Sequence, residues 1–256
     1  MKPNLPSVSL LSITPDPLTL LWNAWYWTRD KGKVLVGHQD RTMNSAHYTK
    51  VVQHALMCLR EHVPIPEMVH MTWGISNIPR ALQEQMVRTR KAAFFCETMR
   101  VVDKSRFADN QAYFVPEGLE KSFAYHEFMR MSQNSYKLLM GAGIPPEHAR
   151  GVLPMHVHTS LVMGLDLREF TRMMGNRTCW IAQGSYWRPV IEQFKEQLLP
   201  WLGEEVCAYI FNPPCERTNP HCIMPDEAEH RLAGESPYKP CPKYTEEIRA
   251  VSKQKR

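Results

Sequence analysis

The 256-residue chain has no uninterrupted apolar run approaching the roughly 18 residues of a membrane-spanning helix. Its opening, MKPNLPSVSLLSITPDPL, carries prolines where a secretory signal would need its apolar stretch. The expectation is an intracellular, cytoplasmic protein with no membrane partner. A CxxC pair is also missing. The seven cysteines are an odd number, four of them fall at or after Cys207, and Cys58, Cys96 and Cys179 sit in segments that read as helix or loop. That distribution does not build the paired framework of a small secreted domain, so reduced thiols are expected. Nor is there a basic run with interleaved aromatics. The 31 Lys and Arg against 26 Asp and Glu give a net charge of +5, spread along the chain. This modest excess suits a protein that handles anions but gives no support to a nucleic-acid-binding face. No internal repeat is visible.

What remains is the composition of a soluble globular protein, 43% hydrophobic and 22% charged. The length is enough for one main domain with a sizeable core and an appended segment. Pro17 to Thr28 is apolar and aromatic and predicts a helix. From Ser45 to His62 the positions Val51, Val52, Ala55, Leu56 and Leu59 recur at helical spacing behind Ser45. Val69 to Ile75 reads as a strand, and Pro79 opens a helix carrying Ala81, Leu82, Gln85 and Met86. Ala124 to Ala142 predicts a helix ended by glycines, followed by a short one from Pro145 to Arg150. A strand over Met155 to Met163 and helices over Leu167 to Met174 and Ile181 to Leu199 complete the main body. From Pro200 the chain turns dense in Pro, Cys, Asn and Gly, which predicts a turn-rich segment needing a docking surface or an internal staple.

Two arginine clusters carry the chemistry. The first runs from Gln85 to Arg100 and holds Arg88, Arg90, Lys91 and Arg100 with the hydroxyls of Thr89 and Thr98. Guanidinium forks match phosphate oxygens, although spacing alone reads more simply as a solvated helix face. The second runs from Gly143 to Gln183 and holds Arg150, Arg168, Arg172 and Arg177. Arg168 and Arg172 are four apart and share a helix face, where their charges repel unless an anion or carboxylates compensate.

In this second stretch Glu147, Ala149, Arg150, Leu153, Pro154, Thr159, Arg168, Arg177, Ala182 and Gln183 stand at spacings that resemble the flavin-dependent thymidylate synthase family. The first stretch resembles that family's signature Arg-His-Arg-x-x-Ser-x-Asn-Glu-x-Ser-x-Arg-Tyr, with Arg88, Arg90 and Arg100 in register. Followed back to Asn23-Ala24-Trp25-Tyr26-Trp27-Thr28, the resemblance covers residues 13–199, between an N-terminal extension (1–12) and a Cys/Pro-rich C-terminal extension (200–256). It implies a mixed α/β (α+β) fold, a homotetramer, and binding of FAD, a pyrimidine deoxynucleotide monophosphate, NADPH and methylenetetrahydrofolate. It places Thr28, Arg88, Thr89, Arg90, Asp166, Arg168 and Arg172 on the flavin side. Gln85, Glu97, Thr98, Met99, Arg100, Arg150 and Arg177 fall on the nucleotide side, with Arg177 facing the pyrimidine ring and Arg177 and Thr98 in catalytic positions.

The implied reaction is transfer of a one-carbon unit from folate to C5, methylating dUMP or dCMP. The signature departs from the family at Thr89, Ala93, Phe95, Cys96, Thr98 and Val101. Cys96 removes a carboxylate that Glu97 can replace only with a local backbone shift. Asp166 and Arg172 stand where the family has asparagines and form an opposite-charge pair poorly spaced for bridging. A C5 hydroxymethylase or a nucleotide- and flavin-binding relative without turnover therefore stand as alternatives. In the tail, Cys207, Cys215, Cys222 and Cys241, with His221 nearby, are candidate zinc ligands despite irregular spacing. His156 and His158 alternate on the predicted strand, where a core or interface role is the simpler reading. Trp180, Tyr186 and Trp187 read first as core aromatics.

Overall fold

A computed structural model describes residues 5–29, 45–61, 63–181, 184–217, 220–236 and 239–254. Its elements in chain order are β1 (Ser7–Ile13), α1 (Pro17–Trp27), α2 (Ser45–Arg60), β2 (His70–Pro79), α3 (Arg80–Met86), β3 (Ala92–Cys96), α4 (Phe123–Gly141), α5 (Pro146–Ala149), β4 (His158–Asp166), α6 (Leu167–Arg177), α7 (Arg188–Ile210), α8 (Pro225–Leu232) and α9 (Glu246–Gln254). Single 3-10 turns stand at Ile65–Met68, Arg150–Val152 and Pro214–Glu216. The strands form one sheet in the order β1-β2-β4-β3. The chain divides into two compact units, Met1–Leu11 with Thr72–Gly164 and Ser12–Met71 with Leu165–Arg256.

In the first unit, burial alternates along β2 and β4, so that Trp73, Ile75, Leu161 and Met163 face the core. The other face is more open: Leu11 and Phe95 are exposed and flank a shallow groove with Gly74 and Val162. Pro79 ends β2 in an extended conformation and caps α3, which turns the chain from strand to helix without a loop. A second apolar cluster of Met99, Phe107, Ala108, Tyr113, Met129 and Val157 anchors the long connection between β3 and α4. The Gln133 side-chain oxygen on α4 accepts from Ala108 N at 2.7 Å and Asp109 N at 3.1 Å, which pins that connection.

In the second unit, α2 buries the five positions expected from its spacing, Val51, Val52, Ala55, Leu56 and Leu59. α6 starts at Asp166, whose side chain accepts from Glu169 N at 2.7 Å and satisfies one of the free amides of the first turn. The helix expected over Ile181 to Leu199 instead begins at Arg188 and continues to Ile210. It bends at Gly203, where φ is 72° and the backbone leaves helical values. A Cβ at Gly203 would also press on the Tyr48 hydroxyl, the movable end of an exposed side chain, so it is the dihedral there that requires glycine.

The helices of the main body follow the sequence pattern, but β1 and β3 do not. β1 lies between prolines and passes for a lead-in. β3 is hidden because Ala92-Ala93 favour helix and the flanking cations invite a helix face; the phenylalanines that follow are the strand signal. The cluster at Gln85 to Arg100 is thus a helix end, a turn and a strand. β4 starts at His158, so His156 lies outside the strand and the two histidines do not alternate on it. The tail also folds further than its proline content predicts. α8 has Pro225 in its first turn with Asp226 and Glu227, and His230 and Arg231 in its last turn, matching the helix dipole at both ends.

Candidate functional site

Two of the residues expected on the nucleotide side, Arg100 and Arg150, meet at α5. Arg100 Nη2 lies 2.6 Å from Glu147 Oε1, and Arg150 Nε donates to the Glu147 carbonyl at 3.1 Å. One glutamate residue therefore brackets two arginines that are fifty positions apart in sequence. The turn before Arg100 is shaped by Thr98, whose hydroxyl accepts from Arg100 N at 3.2 Å and whose carbonyl accepts from Val101 N and Val102 N. Met99 is buried in the apolar cluster and its sulfur accepts from Arg80 Nη1 at 3.3 Å, so its side chain faces the core instead of a ligand. Gln85 is half-buried near the end of α3.

Glu97 makes an ion pair with Lys104, with both side chains largely buried. Lys104 Nζ also donates to the His158 carbonyl at 3.0 Å. Burial, with the Lys104 charge adding, pushes His158 down to about 4, so this imidazole is neutral at physiological pH. The sequence singled out Glu97 but not Lys104, because a lone lysine in a loop carries no spacing signal. His156 is held separately: its Nδ1 lies 2.7 Å from the Tyr125 hydroxyl, and burial lowers its pKa.

Arg88, Thr89 and Arg90 occupy the turn after α3, where Thr89 N donates to the Met86 carbonyl at 3.0 Å. Arg88 and Arg90 are exposed and have no ion pair among the described residues. Two exposed guanidiniums two residues apart on one turn are chemically suited to an anionic group.

The remaining candidates lie in the second unit. Thr28 is exposed and its hydroxyl donates to the Trp25 carbonyl at 3.2 Å. Asp166 caps α6, and Arg172 pairs with the buried Glu169 (Nε to Oε2, 2.9 Å), which raises the arginine's pKa. Asp166 and Arg172, expected to bridge only imperfectly, each take a different partner. The repulsion between Arg168 and Arg172 is relieved in the same way. Arg168 donates to the carbonyls of Cys58 (2.8 Å), Leu59 (3.3 Å) and Val63 (2.5 Å), with Glu67 3.9 Å from its Nε. Its charge sits on the free carbonyls at the end of α2, where the helix dipole is negative. Arg177 closes α6, half-buried, its guanidinium 4.9 Å from the Trp187 ring centre. Burial draws its pKa down from the ordinary range. Trp187 itself is a core residue and Trp180 is partly exposed.

The family model described as thymidylate synthase complementing protein matches residues 9–202. The chain belongs to this family. Flavin-dependent thymidylate synthases from Thermococcus onnurineus and Pyrococcus furiosus are 27% and 23% identical over 234 and 246 residues, covering 84% and 90% of this chain and 92% and 98% of theirs. Among solved structures, thymidylate synthase X from Helicobacter pylori, determined with FAD and dUMP, is similar with a TM-score of 0.59 at 12% identity, across 79% of this chain and 99% of that one. The UMP/dUMP methylase PolB from Streptomyces cacaoi, bound with 5-Br dUMP, gives a TM-score of 0.57 at 19% identity over 83% of this chain and 99% of its own. The mixed helix and sheet architecture expected from the sequence is that of these structures.

In this member of the family, the family pattern is kept unevenly. Arg100 and Arg150 are brought together, whereas Arg168 and Arg172 are committed to protein partners. Ala182 and Gln183 lie outside the described residues. In the tail, the four expected zinc ligands are not gathered. Cys207 is fully buried inside α7, its thiol pushed up to about 11 by burial. Cys215, Cys222 and Cys241 instead line a cavity of about 390 Å³ together with Cys179. All seven thiols are free, and among the described residues no group of three or more His, Cys, Asp or Glu side chains is placed to hold a metal ion.

Proposed function

We propose that this protein is a flavin-dependent enzyme that transfers a one-carbon unit from methylenetetrahydrofolate to C5 of a pyrimidine nucleotide, dUMP or dCMP, and methylates it. The reading rests on family membership and on one observation, the Arg100–Glu147–Arg150 bracket. The Glu147 carboxylate makes the charge-assisted contact that a nucleotide phosphate would make, and an exposed ion pair of this kind exchanges readily for a dianion. Arg88 and Arg90 would hold the FAD diphosphate. The flavin, when bound, supplies the reducing equivalents, with NADPH as the reductant. Arg177 supplies positive charge beside the ring, stabilising the anionic character that makes C5 nucleophilic. Thr98 offers a hydroxyl and, through its hydrogen bonds, fixes the turn that aims Arg100. The active assembly is a homotetramer, as in the family the sequence resembles.

One observation favours a second product. The family's signature carboxylate is Cys96 in this chain, and the adjacent Glu97 is held by Lys104. The residues that the resemblance places around the base therefore differ from the family pattern, while the arginines it places at the phosphate are kept. A C5 hydroxymethylase of the same fold is the reading this supports, and a nucleotide- and flavin-binding protein without turnover is the third. Mass spectrometry of products from dUMP, dCMP, UMP and CMP, with FAD, NADPH and methylenetetrahydrofolate present, separates all three. A mass gain of a methyl group is expected. A hydroxymethyl product would replace the first reading with the second, and no product together with retained FAD binding would leave the third.

A further inference from the structure

Cys179, Cys215, Cys222 and Cys241 come from four separate stretches of chain and converge on one cavity in the second unit. Cys179 follows α6, Cys215 sits in the 3-10 turn after α7, Cys222 precedes α8 and Cys241 precedes α9. All four side chains border this one cavity, and only the fold brings them there. Cysteines gathered from separate segments around one space form a ligand set of the soft type that takes a thiophilic metal.

The surroundings suit such a centre. The Met224 backbone amide hydrogen-bonds the Cys222 sulfur, and Cys222 N in turn donates to Ser252 Oγ at 2.9 Å, which fixes the cysteine from both sides. Amide hydrogen bonds to ligating sulfurs are a standard means of stabilising a thiolate metal site. Lys195 and Lys243 line the same cavity, with Lys243 ion-paired to Glu216 at 2.6 Å. Trp180, Ile191, Phe211 and Ile248 form apolar walls.

We propose that Cys179, Cys215, Cys222 and Cys241 are the four ligands of a tetrathiolate metal centre, and that the size of the cavity they line points to an iron–sulfur cluster. A single zinc ion bonds thiolates at about 2.3 Å in a tetrahedron, which requires sulfurs about 3.8 Å apart. No group of side chains among the described residues is placed to hold a single metal ion, yet the four thiols line one cavity of about 390 Å³. A polynuclear cluster fills more space than one ion and takes the same four thiolates. The centre ties the tail to the segment that follows Arg177, and its assembly releases the thiol protons.

The test is purification of the full-length protein under anaerobic conditions, and reconstitution with ferrous iron and sulfide, followed by iron, acid-labile sulfide and zinc analysis and electron paramagnetic resonance of the reduced sample. Iron and sulfide in equal amounts with a cluster signal are expected. Each of C179S, C215S, C222S and C241S is expected to lose most of the iron, and C207S to keep it. One equivalent of zinc without sulfide, lost in the same four variants, would retain the tetrathiolate site and overturn the cluster. No bound metal, or metal retained in all four variants, would overturn both. FAD binding by each serine variant, read from flavin absorbance, separates loss of ligands from loss of fold.

Discussion

Replacing Arg168 with alanine separates a structural role from a cofactor role at the same residue. The arginine donates to three main-chain carbonyls, of Cys58, Leu59 and Val63, and its side chain is about four-fifths buried at 20% exposure. Hydrogen bonds from a charged donor contribute about 1.5–3 kcal/mol each, and a carbonyl left without a partner in a buried site costs about 1–3 kcal/mol. Water entering the space vacated by the side chain offsets part of that loss. A net destabilisation of roughly 3–5 kcal/mol follows, and at about 2–4 °C per kcal/mol for a chain of this size the midpoint falls by roughly 6–20 °C. Arg168→Lys keeps the charge but offers a single ammonium to three acceptors, so an intermediate loss is expected. Circular dichroism melting of the flavin-free protein reads the effect, with FAD titration as the parallel measurement. A melting curve identical to that of the unaltered chain, combined with a large loss of FAD affinity, would refute the reasoning. It would place the guanidinium on the cofactor and not on α2.

Other outcomes follow from the same geometry. The folded pKa of His158 is lowered from 6.5 to about 4, so the unfolded chain takes up its proton first as pH falls. Stability is therefore full above about pH 6.5 and declines toward pH 4, by up to about 3 kcal/mol, and H158Q flattens that slope in urea midpoints measured against pH. Arg177→Ala is expected to abolish turnover while nucleotide binding survives, read by single-turnover kinetics beside a dUMP titration; an unchanged rate removes the role assigned to it. For Glu97 and Lys104, E97Q and K104M each leave a buried charge unpaired and cost about 3–5 kcal/mol, whereas the double variant loses less than the sum. At Gly175 a Cβ would stand 2.8 Å from the Arg217 guanidinium, which donates to the carbonyls of Thr171 and Ile210. G175A therefore lowers stability by about 1–3 kcal/mol in chemical denaturation, and no change would show that Arg217 moves aside freely.

The helices were legible because periodicity reports burial directly, as Val51 to Leu59 show. The strands at the sheet edges were less so, since β1 and β3 are short and their propensities are contradicted by neighbouring prolines, alanines and cations. At the site, sequence spacing identified the arginines but not their partners. Glu147 was visible only as one letter of a motif, and its bracket between Arg100 and Arg150 depends on α5 being turned toward the loop after β3. Lys104 and Arg217 carry no pattern at all, because a single cation acquires meaning only from the carbonyls and carboxylates that folding brings to it. The cysteines illustrate the same limit. Their density in the tail was evident, but that Cys179 and not Cys207 shares a cavity with the other three depends on α7 burying the latter.

The bend at Gly203, where one helical stretch of α7 meets the next, stands one residue beyond the end of the family match. Val206, Cys207 and Ile210, all on the far side, are completely shielded from solvent. The chain beyond the family match thus resumes a helix directly after the kink, with no linker between. A chain cut at residue 202 would strip the second unit of part of its core.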